Sequence, residues 1–169
     1  MKSARPDGLG TDAAAMTEHS DTLLRVRYAE TDQMGYVYYG NYYTYFEVGR
    51  VEYMRARGVA YKDMEIDDDS FIVVAESQCR YRRPARYDDL LRIRTRVSEL
   101  RRRTIRFSYE VLREETGELL ASGDTLHVIC DCQGRPKALP DKYRRYFEAE
   151  PAGPSVAPNA PARRRKSPR

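Results

Sequence analysis

Asp32 stands in a polar, glycine-containing turn, Glu30 to Gly40, that leads directly into a stretch of helical periodicity. A carboxylate so placed has two reactive uses: it can attack an acyl carbon to give a mixed anhydride, or take a proton from a bound water as general base. It also has a structural use, because aspartate closes turns by accepting backbone N–H bonds. Attack on a carbonyl needs donors for the oxygen that becomes negative, and the N–H groups at a helix N-terminus supply them together with the helix dipole. Tyr39 and Gly40 occupy that place. Gly35 permits the tight turn that brings Asp32 toward the helix end.

Other side chains of chemical interest surround this turn or lie apart from it. Tyr38, Tyr42, Tyr43 and Tyr45 form a dense aromatic set. Aromatics at helical spacing are first of all core residues, and Tyr38 or Tyr42 is the member best placed to line a substrate pocket. Glu47 reads as a surface or paired carboxylate. His19 falls in the N-terminal extension, and His127 reads as a packed strand residue. Arg82, Arg83 and Arg86 flank Pro84, while Arg101, Arg102 and Arg103 sit together in a hairpin turn. Guanidinium forks hold phosphates well, although arginines in turns are equally often solvated surface. The 3 cysteines, Cys79, Cys130 and Cys132, are an odd number with no zinc spacing, which points to reduced thiols in a cytoplasmic protein. No glycine-rich phosphate loop or nucleotide fingerprint occurs, and neither a metal nor a redox cofactor is expected.

These groups need a scaffold, and the patterning supplies one. Of the 169 residues, 41% are hydrophobic and 33% charged, enough for one core with a wet surface. No apolar run approaches the roughly 18 residues of a membrane-spanning helix. The net charge of +4 is concentrated in the last segment, where Arg163, Arg164, Arg165, Lys166 and Arg169 face only Glu150, so nucleic-acid binding by the folded part is not expected. Composition divides the chain into a disordered extension over 1–20, a folded domain over 21–148 and a disordered Pro/Arg-rich tail over 149–169. Within the domain, Leu23 to Tyr28 alternates as a first strand. Tyr42, Tyr45, Phe46, Gly49, Tyr53 and Met54 recur at spacings of three and four, giving a long helix that Asn41 caps and Gly58 ends. Glu47 and Arg50 are spaced to pair on its surface. After a loop carrying Asp67, Asp68 and Asp69, strands are expected over 71–82, 89–100, 104–113 and 118–130 with no further helix between them, then a short closing helix over 140–147. Short turns make these strands antiparallel hairpins. The sum is an α+β domain of the hotdog kind, an antiparallel sheet of about five strands wrapped around one long helix.

The segment Val26-Arg-Tyr-Ala-Glu-Thr-Asp-Gln-Met-Gly-Tyr-Val-Tyr-Tyr-Gly-Asn-Tyr-Tyr-Thr-Tyr-Phe-Glu47 resembles the 4-hydroxybenzoyl-CoA thioesterase family of hotdog acyl-CoA thioesterases. A second stretch, Tyr81-Arg-Arg-Pro-Ala-Arg-Tyr-Asp-Asp-Leu-Leu-Arg-Ile-Arg-Thr, resembles that family's second and third strands with their turn. The resemblance covers about residues 22 to 147. It implies hydrolysis of an acyl-CoA thioester to free acid and coenzyme A, with Asp32 as nucleophile or general base and the Tyr39 amide, beside that of Gly40, polarising the carbonyl. It further implies coenzyme A contacts from the two arginine clusters, and a homodimer or homotetramer in which one subunit's helix completes its neighbour's site. Many relatives carry His where this chain has Tyr39, a poor base with an ordinary pKa of about 10. That substitution leaves Asp32 and the amide as the machinery. Two alternatives stay open: a thioesterase acting on acyl groups of acyl carrier protein, held through Arg82 or Arg102, and a non-catalytic protein that binds acyl-CoA or a protein partner.

Overall fold

Alternating exposure of successive side chains opens the folded part as β1 (Ser20–Arg25). The protein is described by a computed structural model over residues 19–148. The expected extension and tail lie outside the described residues, apart from His19 and from Ser20, which already belongs to β1. The strand lies three residues earlier than the pattern suggested, because Tyr28–Glu30 winds into a single 3-10 turn. The long helix α1 (Asn41–Ala56) follows. Its buried residues are Tyr42, Tyr45, Phe46, Gly49, Tyr53 and Met54, the whole of the expected stripe. Burial of each large apolar side chain on this face contributes roughly 1.5–3 kcal/mol.

A second helix, α2 (Tyr61–Asp68), corrects the expectation of a loop before the next strand. The sequence hid it because it is short and acidic, with only Met64 buried. Tertiary bonds hold it instead. The Ile72 amide donates to Tyr61 Oη at 3.1 Å, and Lys137 Nζ donates to the carbonyls of Asp68 at 2.8 Å and Asp69 at 3.1 Å. Asp69 ends the helix in the left-handed region at φ 46°.

The remaining elements are β2 (Phe71–Tyr81), β3 (Leu90–Leu100), β4 (Thr104–Arg113), β5 (Leu119–Cys130) and α3 (Asp141–Glu148). All pairings are antiparallel, in the order β1-β3-β4-β5-β2. With α1 laid on one face, this is the hotdog architecture. Leu91, Ile93, Thr95 and Val97 of β3 and Ile105, Phe107, Tyr109 and Val111 of β4 all turn inward and are buried. Phe46 stacks on Tyr109 with ring centroids 4.4 Å apart. Gly49 lies so close to β3 that an added Cβ would stand 2.5 Å from Thr95 Oγ1 and 2.7 Å from Ile93 Cγ2. No helix among the described residues is long and apolar enough to cross a membrane.

Polar groups also reach this core. Arg50 does not pair with Glu47; its Nη1 donates to Tyr109 Oη at 3.3 Å. That hydroxyl is 2.8 Å from Thr125 Oγ1, which lies 2.7 Å from Nε2 of the fully buried His127. Burial, reinforced by the nearby Arg50 charge, pushes the His127 imidazole down to about 4. The unfolded chain therefore takes up this proton first, and stability falls as pH drops from the ordinary histidine range toward the folded value. Replacing His127 by Gln is expected to remove a decline of about 2 kcal/mol in unfolding free energy between about pH 7 and pH 5. Urea titrations at the two pH values check this, and an equally steep decline in the variant would contradict it.

Candidate active site

Glu30 anchors the turn that carries Asp32. Its carboxylate is buried: Oε2 accepts from the Arg27 amide at 2.8 Å and from Tyr45 Oη at 2.9 Å, and Oε1 accepts from Arg27 Nε at 2.8 Å. Burial alone would raise this carboxyl's pKa, but the bonds from Arg27 and Tyr45 outweigh it and hold the group below the ordinary carboxylate range. The Glu30 carbonyl in turn accepts from the Tyr38 amide at 2.9 Å and from Asn41 Nδ2 at 2.8 Å. One residue thus ties the 3-10 turn to both the body and the start of α1. Asn41, the expected cap, sits in the first turn; Gly40 is the N-cap.

Between these anchors the chain doubles back. The Asp32 amide donates to the Tyr36 carbonyl at 2.8 Å, the Gly35 amide donates to the Asp32 carbonyl at 2.9 Å, and Gly35 takes φ 74°. Asp32 Oδ1 accepts from the Met34 amide at 2.8 Å and, at 3.4 Å, from that of Tyr36. Among the described residues nothing donates to Oδ2. Oδ1 thus serves the structural use and closes the turn, while Oδ2 accepts no bond among the described residues.

The amides of Tyr39 and Gly40 stand at the N-terminal end of α1, and among the described residues no acceptor takes either proton. The Tyr39 carbonyl accepts from Tyr81 Oη at 3.1 Å, which fixes the peptide from the opposite side. Tyr81 escaped the sequence reading. Its signal was its place at the end of β2 in register with Ala121 of β5, half-exposed with its ring against that of Tyr42. Tyr42 is buried between Tyr81 and Tyr45, with ring centroids at 5.2 and 5.7 Å, so it is a wall. Tyr38 is exposed and lies against Tyr39 with centroids 4.5 Å apart. Tyr43 packs edge-on to Phe46, and Tyr45 is spent on Glu30.

The arginines are distributed more widely than their spacing suggested. Arg86 pairs backbone with Tyr36 and holds its guanidinium 4.7 Å above that ring, beside the Asp32 turn. Arg83 reaches Glu118 at 3.5 Å. Arg82 lines a groove on the sheet face opposite α1. Arg101, Arg102 and Arg103 occupy the β3–β4 hairpin, separated from the Asp32 end by the length of β3, roughly 33 Å. Within one chain, the six arginines do not form a single phosphate site. Glu47 is exposed, and among the described residues no group of three or more His, Cys, Asp or Glu could hold a metal ion.

Similarity to known proteins bears on this geometry. The sequence profile of the thioesterase superfamily matches residues 34–120. The acyl-CoA thioesterase YbgC of Haemophilus influenzae is 32% identical over 126 residues, covering 73% of this chain and 90% of its own length. Among solved structures, a DHNA-CoA thioesterase from Staphylococcus aureus superimposes with a TM-score of 0.71 at 32% identity, covering 76% of this chain and 88% of that one. A 1,4-dihydroxy-2-naphthoyl-CoA thioesterase from Synechocystis, with a TM-score of 0.72 at 18% identity over 77% of this chain and 96% of its own, shares the fold.

Replacing Glu30 by Ala leaves Tyr45 Oη and the Arg27 amide without their acceptor. The expected cost is about 1–3 kcal/mol of unfolding free energy at neutral pH. That deficit shrinks as pH falls through the carboxylate range, because the wild type then loses the same stabilisation. Denaturant titrations at pH 7 and pH 4 read both effects, and an unchanged midpoint at pH 7 would contradict the anchoring role.

Proposed function

The chain belongs to the thioesterase superfamily, and from that premise we propose that it hydrolyses an acyl-CoA thioester to a free acid and coenzyme A at the Asp32 end of α1. The observation that carries this reading is the open Asp32 Oδ2 in the same turn that ends on the unbonded Tyr39 and Gly40 amides. The thioester carbonyl oxygen accepts from these amides, which are worth more to the tetrahedral oxyanion than to the ground-state carbonyl. Oδ2 either attacks the carbonyl carbon, expelling coenzyme A thiolate and leaving a mixed anhydride that water cleaves, or takes a proton from the water that attacks. Both routes consume one water and release acid and thiol. Tyr39 acts through its backbone, so its side chain is dispensable. Arg86, beside the turn, is the arginine of this chain best situated to meet the phosphates.

A pair of chains completes this reading. Of the two sheet edges, β1 is short at 6 residues, whereas β2 runs for 11 and exposes Val73 and Val74 by about half. Such an edge invites a strand from a second copy. Antiparallel pairing of two β2 strands about a two-fold axis sets the Phe71 end of one against the Tyr81 end of the other. Phe71 is in register with Cys130, and the Ile129 amide donates to the Arg103 carbonyl. The hairpin Arg101–Arg103 of the partner subunit is thereby carried toward the Asp32 end, where its guanidiniums can serve the same substrate.

Asp32→Asn is expected to lower free-thiol release from acyl-CoA substrates by about 10²–10⁴-fold with the fold retained. Tyr39→Phe is expected to stay within a few-fold of wild type. Thiol assays across short, long and aromatic acyl groups read both, and full activity in Asp32→Asn would overturn the assignment. For the pair, sedimentation of the wild type should give at least a dimer, and Val73→Glu/Val74→Glu should give folded monomers with little hydrolysis. A fully active monomer would contradict the shared site.

A further inference from the structure

The sheet face opposite α1 has a groove of about 450 Å³ that is lined by none of Asp32, Tyr39 and Gly40. Its build follows from the register. Across the sheet, Arg94 of β3 pairs with Glu110 of β4, Glu110 with Ser122 of β5, and Ser122 with Arg80 of β2. In the neighbouring row Arg96 pairs with Ser108. Long arginines therefore rise from the flanking strands β2 and β3, while the floor between them carries Ser108, Ser122 and the Glu110 carboxylate, which is drawn to Arg94. At the usual strand spacing the two walls stand roughly 14 Å apart at their backbones. The volume falls within the range of small-molecule sites, about 300–1,000 Å³.

The charge of this groove is not balanced from within. Arg94 is engaged by Asp21 at 3.0 Å and by Glu110 at 3.7 Å. Among the described residues, the side chains of Arg80, Arg82 and Arg96 have neither an ion pair nor a hydrogen bond. Elsewhere on this face the arginines are matched, Arg92 by Glu114 and Arg106 by Asp124 and Glu76. The excess is thus local to the groove. Three uncompensated guanidiniums match two adjacent phosphates, which together carry about −2 when both are esterified and about −3 when the terminal one is free. Guanidinium forks and serine hydroxyls are the donors that phosphate oxygens take.

We propose that this outer groove is an anion site for a ligand carrying adjacent phosphates, gripped between Arg80 and Arg82 on one wall and Arg96 on the other. The chemistry is shared by two sources, the pyrophosphate of coenzyme A and a free nucleoside diphosphate. Pyrophosphate binding is read without turnover, so its failure is distinct from failure of the thioesterase reading.

Inorganic pyrophosphate is titrated calorimetrically into the full chain at low salt, and into Arg80→Gln/Arg96→Gln. Binding by the wild type, weakened about 10-fold or more in the variant, is the expected result. Thioester hydrolysis by the same variant then assigns the source. A KM for acyl-CoA raised in parallel identifies coenzyme A as the occupant, and an unchanged KM identifies a free phosphorylated ligand. Either supports the site. No binding by the wild type, or equal binding by the variant, would overturn it. A variant that binds no pyrophosphate differently but dissociates in sedimentation would also overturn it, making the groove an interface between copies.

Discussion

The absence of a side chain at Gly49 governs the rest of the structure. It lets α1 lie on β3 at a separation that a single methyl group would forbid, with Thr95 and Ile93 filling the space. The cost of a mid-helix glycine, about 1 kcal/mol relative to alanine, is offset by the packing this close approach allows. Tyr45 and Phe46, one turn earlier, are then fully buried, and the helix start is carried to the turn that holds Asp32.

From there the construction is polar. Glu30 spends its carboxylate on Arg27 and Tyr45 and its carbonyl on Tyr38 and Asn41, which fixes the turn at both ends. Tyr81 reaches across from β2 to the Tyr39 carbonyl, so the peptide that offers its N–H is held by its C=O. The consequence is a frame around two donors and one carboxylate oxygen that have no partner among the described residues. Preorganisation of this kind is what stabilises a developing oxyanion without rearrangement during the reaction.

Most of the frame was legible in the residues. The apolar stripe of α1 and the alternation of β3 and β4 each bury their expected members, because period and burial are the same constraint seen twice. What stayed hidden depended on distant partners. α2 carries no apolar stripe and is held by Ile72, Lys137 and Tyr143 from elsewhere in the fold. Glu30 marks only the start of a polar turn in the sequence, and the bond from Tyr45 in the folded chain shows why it is buried. The arginines were read as two clusters, yet Arg82, just past the end of β2, lines the outer groove, Arg83 reaches Glu118 and Arg86 lies over the Tyr36 ring. The superfamily match begins at residue 34, two positions after Asp32, so the role proposed for that carboxylate rests on the geometry of its turn.

The central claim is that a thioester carbonyl docks on the Tyr39 and Gly40 amides with Asp32 Oδ2 beside its carbon. A crystal structure of Asp32→Asn bound to an acyl-CoA that it turns over slowly tests this directly. The account requires the carbonyl oxygen about 2.7–3.1 Å from at least one of the two amide nitrogens, with the residue-32 side chain against the carbonyl carbon. An acyl group seated away from the α1 N-terminus, with both amides still unbonded, would contradict it.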